Sequence, residues 1–201
     1  MRSFAIVPAA GRSRRMGRPK LLLPWGEGTI IERVIGVWCA SRVERVLVVV
    51  HPDDEPLAAV CRAAGAEVIV PPAPPVDMKA SIACGLAAVA DRELPEEGDV
   101  WLVAPADMPL LGAAVIDRLL AAHRAEEPRI LVPVHAGRRG HPLLLPWPLA
   151  AEVARLAADE GLDRLVARHG AREVACDDAG ILTDVDTPDE YDQSRRAGKV
   201  Q

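Results

Sequence analysis

Between Val7 and Lys20 the chain passes abruptly from apolar to small to basic. Val7-Pro8-Ala9-Ala10-Gly11 is followed by Arg12, Ser13, Arg14, Arg15, Met16, Gly17, Arg18, Pro19 and Lys20. Small residues directly after a buried strand let a ligand approach the backbone closely. Successive N–H groups in such a turn form a concavity that attracts anions. Guanidinium and ammonium groups in the same stretch suit several phosphate oxygens at once. The stretch therefore reads as a triphosphate cradle. The alternative, a basic loop that merely solvates itself, gives no reason for Ala-Ala-Gly at its start. Neither G-x-G-x-x-G nor G-x-x-x-x-G-K-[ST] is present, because Gly11 and Gly17 are six apart and Arg18 follows Gly17.

Carboxylates supply the second chemistry. Asp107 lies between Pro105 and Pro109, directly after the apolar run Val100–Ala104. A carboxylate at the end of a buried strand is well placed to hold Mg²⁺ beside a triphosphate, since Mg²⁺ takes one or two carboxylates and completes its shell with water and phosphate oxygens. The alternative is an N-cap for the helix near Gly112. In Asp184-Val185-Asp186-Thr187-Pro188 a period of two puts both carboxylates on one side of an extended segment. There the alternative is a plain helix start with Thr187 as cap and solvated aspartates. Ser81, at a helix start, offers a hydroxyl to a base carbonyl, or is simply the cap, with Gly85 a close helix–sheet contact. His51, His123, His135 and His169 show no metal-ligand spacing and read as structural or solvated. No serine sits in a G-x-S-x-G elbow.

The elements that must position these groups are legible from composition and pattern. The 201 residues suit one domain, half of them are apolar, and only four Trp, one Tyr and one Phe occur, so the core must be aliphatic. Runs such as Val46–Val50 read as strands buried on both faces, hence a parallel sheet. Net charge is −5, with no polybasic tail, which argues against a nucleic-acid surface and leaves the N-terminal basic cluster a local feature. Cys39, Cys61, Cys84 and Cys176 are scattered and read as small buried hydrophobes. No apolar run approaches the roughly 18 residues of a membrane span. The first strand begins at the N-terminus, leaving no room for a signal peptide, so a cytoplasmic protein is expected.

In order, the pattern predicts a strand at Phe4–Pro8 and an extended run at Leu21–Trp25. A helix capped by Thr29 with Glu32 completing a capping box comes next. Strands follow at Arg45–Val50, Glu67–Val70 and Asp99–Ala104. Helices begin at Pro52–Asp54, at Asp77–Ser81 after the stiff Pro71–Pro75 loop, and at Gly112. Ile130–Val134 leads into a hairpin return over His141–Leu145. Two helices (Leu149–Ala158 and Leu162–His169), a strand near Glu173–Cys176, an extended piece at Ile181–Val185 and a helix from Pro188 complete the chain. Alternating strands and helices mean a single-domain, doubly wound, mostly parallel α/β sheet with a small antiparallel element in the C-terminal half. Ligands in such sheets sit at the carboxyl ends of strands near a switch point. The cradle and the Asp107 loop both fall there, which joins them into one site.

Every fixed position of the signature A-A-G-x-S-x-R-M-G-x-x-K is present: Ala9, Ala10, Gly11, Ser13, Arg15, Met16, Gly17 and Lys20. The chain, from Ile6 to about Tyr191, resembles the molybdenum cofactor cytidylyltransferases and their relatives, which have a Rossmann-like, nucleotide-diphospho-sugar transferase-like fold. Pro8 stands where leucine is usual and resembles the cytidylyltransferases that act on methylerythritol phosphate. Gly137-Arg138-Arg139-Gly140-His141-Pro142 resembles the G-x-R-G-H-P segment of the molybdenum cofactor branch; the alternative is a tight basic hairpin turn.

The resemblance implies a Mg²⁺-dependent cytidylyltransferase. A phosphorylated acceptor, molybdopterin before others, attacks the α-phosphorus of a nucleoside triphosphate and pyrophosphate leaves. It implies Arg15, Lys20 and Asp107 as catalytic groups, and Ala9, Ala10, Gly11, Ser13, Arg15, Lys20, Ser81 and Gly85 around the nucleotide. Arg139 and His141 would meet the acceptor; Asp107 and Asp186 would hold the metal, with Asp184 supporting. His141 as a general base is disfavoured, because a phosphate monoester is already anionic. Asp77 stands where the family has glycine, and would pair with base or ribose hydroxyls or narrow the pocket. Ala10 favours CTP over GTP, since a methyl group against the base disfavours a purine. About residues 1–125 would serve the nucleotide and 126–201 the acceptor. The implied partners are CTP, the acceptor, and transient contact with a molybdenum enzyme or its chaperone; nucleic acid and membrane are not among them. Two rivals stand beside this reading: a cytidylyltransferase for a small sugar or polyol phosphate, and a catalytically silent nucleotide-binding protein that hands a cofactor to a partner.

Overall fold

A computed structural model describes residues 1–12 and 16–198. The first strand, β1 (Ser3–Ala9), is buried along its whole length. Such a strand needs neighbours on both edges and cover on both faces, and it has them. It pairs in parallel with β4 (Arg45–Val50) on one edge and β6 (Val100–Val103) on the other. β5 (Glu67–Ile69) extends the sheet beyond β4, also in parallel. Beyond β6 lies β9 (Leu143–Pro146), antiparallel to it, then β7 (Ile130–His135) and β10 (Ala171–Ala175). The order is β10-β7-β9-β6-β1-β4-β5, with β8 (Arg138–Arg139) turned back on β7. A mostly parallel, doubly wound sheet with an antiparallel insertion is therefore present, and the insertion is β9. A two-residue ribbon, β2 (Pro24–Trp25) and β3 (Gly28–Thr29), stands apart.

Strand alternation divides the core in two. Ala5, Val7 and Ala9 point to one face with Val48 and Val50, where α1 (Ile30–Ala40), α2 (Glu55–Ala63) and α4 (Ala113–Ala122) pack. Phe4, Ile6, Leu47 and Val49 point to the other, under α3 (Met78–Glu93), α5 (Ala150–Val153) and α6 (Leu162–His169). Each buried aliphatic side chain contributes roughly 1.5–3 kcal/mol. The last helix, α7 (Pro188–Gly198), is tied back by Tyr191, whose hydroxyl donates to the Pro24 carbonyl at 2.5 Å.

Local chemistry sets the element ends. Thr29 and Glu32 form the capping box of α1, with the Thr29 N–H donating to Glu32 Oε2 at 2.8 Å. Several boundaries depart from the sequence pattern. Lys20–Leu22 is a short 3-10 turn and not extended, because Leu21 folds inward to join the core. Ala179–Leu182 is likewise a 3-10 turn, started by Asp178. The helix expected over Leu149–Ala158 shortens to Ala150–Val153. Cys61 and Cys176 are buried, but Cys39 is exposed and Cys84 half-buried, so only two of the four thiols are core residues. Among the described residues no helix is long and apolar enough to cross a membrane.

Candidate active site

Strand order places a switch point at β1, whose two neighbours lead the chain away in opposite directions. The loops after β1 and β6 leave the sheet side by side there, as the crevice rule for open α/β sheets requires. Lys20 comes in from the first loop and Asp107 from the second. Asp186 comes from the turn before α7, held by a capping box. Glu190 Oε2 accepts from the N–H groups of Asp186 (2.9 Å) and Thr187 (2.8 Å), and the Glu190 N–H donates to Thr187 Oγ1 at 3.3 Å. These hydrogen bonds hold the Glu190 carboxyl below the usual range. The capping alternative for Thr187 is realised, and the same cap fixes the backbone that aims Asp186 at Lys20.

The three side chains meet. The Lys20 ammonium donates to Asp107 Oδ2 and to Asp186 Oδ1, the latter at 2.7 Å. Lys20 is 13% exposed, Asp107 15% and Asp186 21%, so the cluster is sheltered but open on one side. Burial works against the Lys20 ammonium, but the charge and hydrogen bonds of Asp107, then those of Asp186, outweigh it and raise its pKa. Burial raises the Asp107 carboxyl as well, by more than the single shared ammonium lowers it, and Asp184 adds to the rise. Asp107 Oδ1 is buried with no hydrogen-bond partner among the described residues. A buried, unpartnered carboxylate oxygen is costly unless a cation takes it. Among the described residues no group of three or more His, Cys, Asp or Glu is placed to share a metal. Two carboxylates therefore fit a hard, oxygen-seeking ion such as Mg²⁺ or Mn²⁺, which fills its shell from phosphate and water. Asp107 does not cap α4; Gly112 stands at that position and donates its N–H to Asp178 Oδ2.

Two cavities adjoin the cluster. One, of about 710 Å³, is lined by Ala9, Ala10, Gly11, Lys20, Ser81, Asp107 and Asp186 among others. The second, of about 720 Å³, is walled by Ile82, Val132, Leu143, Leu162 and Val166, with Arg138, Arg139, His141 and Asp184 at its polar side. Met78 and Pro105 line both, so the two spaces meet beside Asp107. Asp184 and Asp186 flank buried Val185 and serve different cavities: exposed Asp184 the second, Asp186 the first.

Most of the remaining sequence candidates fall on these walls. Ser81 is buried and donates to the Asp77 carbonyl at 3.2 Å while lining the first cavity. It does not cap α3. That cap is Asp77, whose Oδ1 accepts from the Ala80 N–H at 2.7 Å, which accounts for an aspartate at that position. Gly85 lines neither cavity: a Cβ there would meet Ile6 Cγ2 at 2.8 Å, so the residue serves the packing of α3 on the sheet. Arg139 is exposed and donates Nε to Glu173 at 2.8 Å. Burial lowers the pKa of His141, and its Nδ1 has no partner among the described residues. Gly140 beside it is required, since a Cβ would stand 2.3 Å from the Ile181 carbonyl. Ser13 and Arg15 lie outside the described residues. Sequence reasoning missed two contributors. His51 is buried and lines the first cavity, and Pro74, Pro75 and the 91% exposed Val76 form its outer lip. An exposed valine after a rigid proline run was the one available signal.

Lys20 with two carboxylates converging on it, at the switch point of a mostly parallel sheet, fits an enzyme that handles phosphates on the nucleotide-diphospho-sugar transferase fold. Comparison narrows the class. The family model of the MobA-like NTP transferase domain matches residues 5–174, and the chain belongs to that family. It is 26% identical over 188 residues to the molybdenum cofactor cytidylyltransferase of Escherichia coli K12, covering 92% of each chain. It is 30% identical over 203 residues to a molybdenum cofactor guanylyltransferase of Mesorhizobium japonicum, covering 95% of this chain and 93% of that one. Crystal structures of Rv0371c from Mycobacterium tuberculosis H37Rv superpose with TM-scores of 0.82 at 29% identity (98% and 99% covered) and 0.79 at 27% (98% and 100%). The second of them is a complex with manganese.

Proposed function

We propose that this nucleotidyltransferase moves CMP from CTP to a bulky phosphorylated acceptor, molybdopterin or its molybdenum form, with release of pyrophosphate. One observation carries the reading: Lys20, Asp107 and Asp186 converge where two cavities of similar size meet. Two substrates with a shared reacting centre need that arrangement. In it the triphosphate lies along Ala9–Lys20, with its base toward Ser81, and the acceptor lies against His141, Arg138 and Arg139. The acceptor phosphate is already a nucleophile, so no side chain need remove a proton. The work of the chain is alignment and charge compensation. Arg15 and Lys20 neutralise the phosphates, and Lys20 must turn from the carboxylates toward the α-phosphate as the nucleotide enters. Asp107 and Asp186 would hold Mg²⁺, which supplies Lewis-acid polarisation of the phosphoryl group.

Two features support the finer choices. Ala10 is buried and lines the first cavity, and a methyl group there would disfavour a purine. The second cavity is large and mainly apolar, which suits a ring system better than a short polyol. The cytoplasm, where nucleoside triphosphates are made, is the proposed setting. The test is thermal stabilisation by each nucleoside triphosphate with Mg²⁺, because a ligand that binds only the folded state raises the melting temperature. A shift with CTP well above those with GTP, ATP and UTP is the expected outcome. A larger shift with GTP would overturn the base assignment. No shift with any of the four would overturn the cradle.

A further inference from the structure

His51 stands one residue past the end of β4. Register alone sends it to the cradle, since Val50 pairs with Ala9 and the next step on each strand is His51 and Ala10. It is 7% exposed and borders two cavities, the first and a third of about 560 Å³ that shares Gly11, Arg12 and Lys20 with it. Its surroundings are rich in donors. The Asp53 N–H donates to Nδ1 at 3.1 Å. Arg12 Nε and Nη2 lie 3.3 and 3.1 Å from Nε2, and Asp53 Oδ2 lies 3.7 Å from Nδ1. A neutral imidazole has one lone pair to offer and a protonated one has none. With Nδ1 accepting from a backbone amide, Nε2 carries the ring proton and meets the Arg12 guanidinium donor to donor. Nearby, Gly11 has open space where a side chain would begin. The opposing charge is Asp53, an exposed carboxylate 3.2 Å from Arg12 Nη2.

We propose that His51 Nε2–H and the Arg12 guanidinium form a two-donor clamp for the terminal phosphates of the nucleotide, the part that leaves as pyrophosphate. An anionic oxygen between them turns a donor–donor contact into two charge-assisted hydrogen bonds. The Asp53 amide fixes the tautomer, as carbonyl and carboxylate partners do for other functional histidines. Arg12 and His51 line the same cavity as Lys20, Asp107 and Asp186, so one nucleotide would meet both groups: its α-phosphate at Lys20, its leaving group at His51. Arg12 itself is 61% exposed, so a fixed neighbour is what gives it one orientation. This rests on the nucleotidyl-transfer reading above and adds a residue to it.

The experiment is calorimetric titration of the whole protein with pyrophosphate, CTP and CMP, comparing wild type with His51→Ala, His51→Gln and Arg12→Ala. His51→Ala should weaken pyrophosphate binding about tenfold, the loss of one charge-assisted hydrogen bond, and leave CMP affinity within about twofold. In turnover it should raise the KM for CTP more than it lowers kcat. His51→Gln, which keeps an N–H near the same place, should recover part of the affinity, as a packing role would not require. If His51→Ala does not fold, Arg12→Ala on the exposed loop carries the same comparison. Unchanged pyrophosphate affinity in the variants, or equal losses for pyrophosphate and CMP, overturns the clamp while the nucleotidyl-transfer reading stands. A wild-type protein that binds neither CTP nor pyrophosphate overturns both.

Discussion

Lys20 occupies, in this structure, the position a cation would take between Asp107 and Asp186. Asp107 Oδ1 has no partner among the described residues, but the ammonium on Asp107 Oδ2 and Asp186 Oδ1 repels a second cation, so metal and nucleotide should bind together, the phosphates drawing Lys20 away. Lys20→Ala is expected to bind Mn²⁺ more tightly than wild type without nucleotide, read by the paramagnetic signal of the free ion. The same variant should lose turnover by two orders of magnitude or more, in line with removal of a preorganised charge. Weaker Mn²⁺ binding in the variant would show that Lys20 does not compete for the carboxylates. At this scale the sequence was informative where types and spacing are rare. The meeting of Lys20 and Asp107 was legible because a lysine nine residues after Gly11 and an aspartate closing a buried strand have few structural uses. His51 was not, because a lone histidine at a strand end carries no spacing signal; only the β1–β4 register brings it to the cradle. Gly85 carried two readings, nucleotide contact and close helix–sheet contact, because small residues near a site look alike whether ligand or helix claims the space; the clearance to Ile6 fits the second.

Elements show the same division. The Thr29–Glu32 capping box was legible because its partners are three residues apart and depend on nothing else. The turn at Lys20–Leu22 was not, because the inward pull on Leu21 comes from tertiary contacts. Gly85→Ala is expected to cost about 1–3 kcal/mol, the range of overpacking in a dense core, since the new Cβ would press on Ile6 and Val49; denaturant unfolding measures it. Ionised Asp99 is a pH-dependent tie between the first residues and the start of β6. It accepts from the Arg2 N–H at 2.6 Å, from Arg2 Nη2 at 2.7 Å and from the Glu96 N–H at 2.9 Å. Burial pushes its pKa up, but these bonds together bring it below the usual value. A lowered folded pKa stabilises the fold above the unfolded value, about 3.9, and that contribution is lost as pH falls through the folded one. Asp99→Asn should therefore melt several degrees lower than wild type at pH 7. The gap should close on acidification below about pH 4. A constant gap would assign the effect to packing.

Over the whole molecule, the parallel half of the sheet was legible because strands buried on both faces write continuous apolar runs. The insertion of β9 between β6 and β7 was not, since a strand's neighbours beyond its own hairpin are set by packing. That insertion has a functional consequence. It carries Gly140 and His141 past Ile181 to the rim of the second cavity, where His141 feels the charge of Asp107 from the first half. Asp186 lines the first cavity, and Met78 and Ile82 line the second, so neither cavity is built from one side of residue 125 alone. The most direct test of two substrates meeting at one carboxylate pair is the rate of pyrophosphate release from CTP with molybdopterin and Mg²⁺, for wild type and Asp107→Asn. Release that needs the acceptor, follows Mg²⁺, and falls at least about a hundredfold in the variant is the expected result. Release by the variant at the wild-type rate across the Mg²⁺ titration would contradict the assignment of Asp107 to the metal.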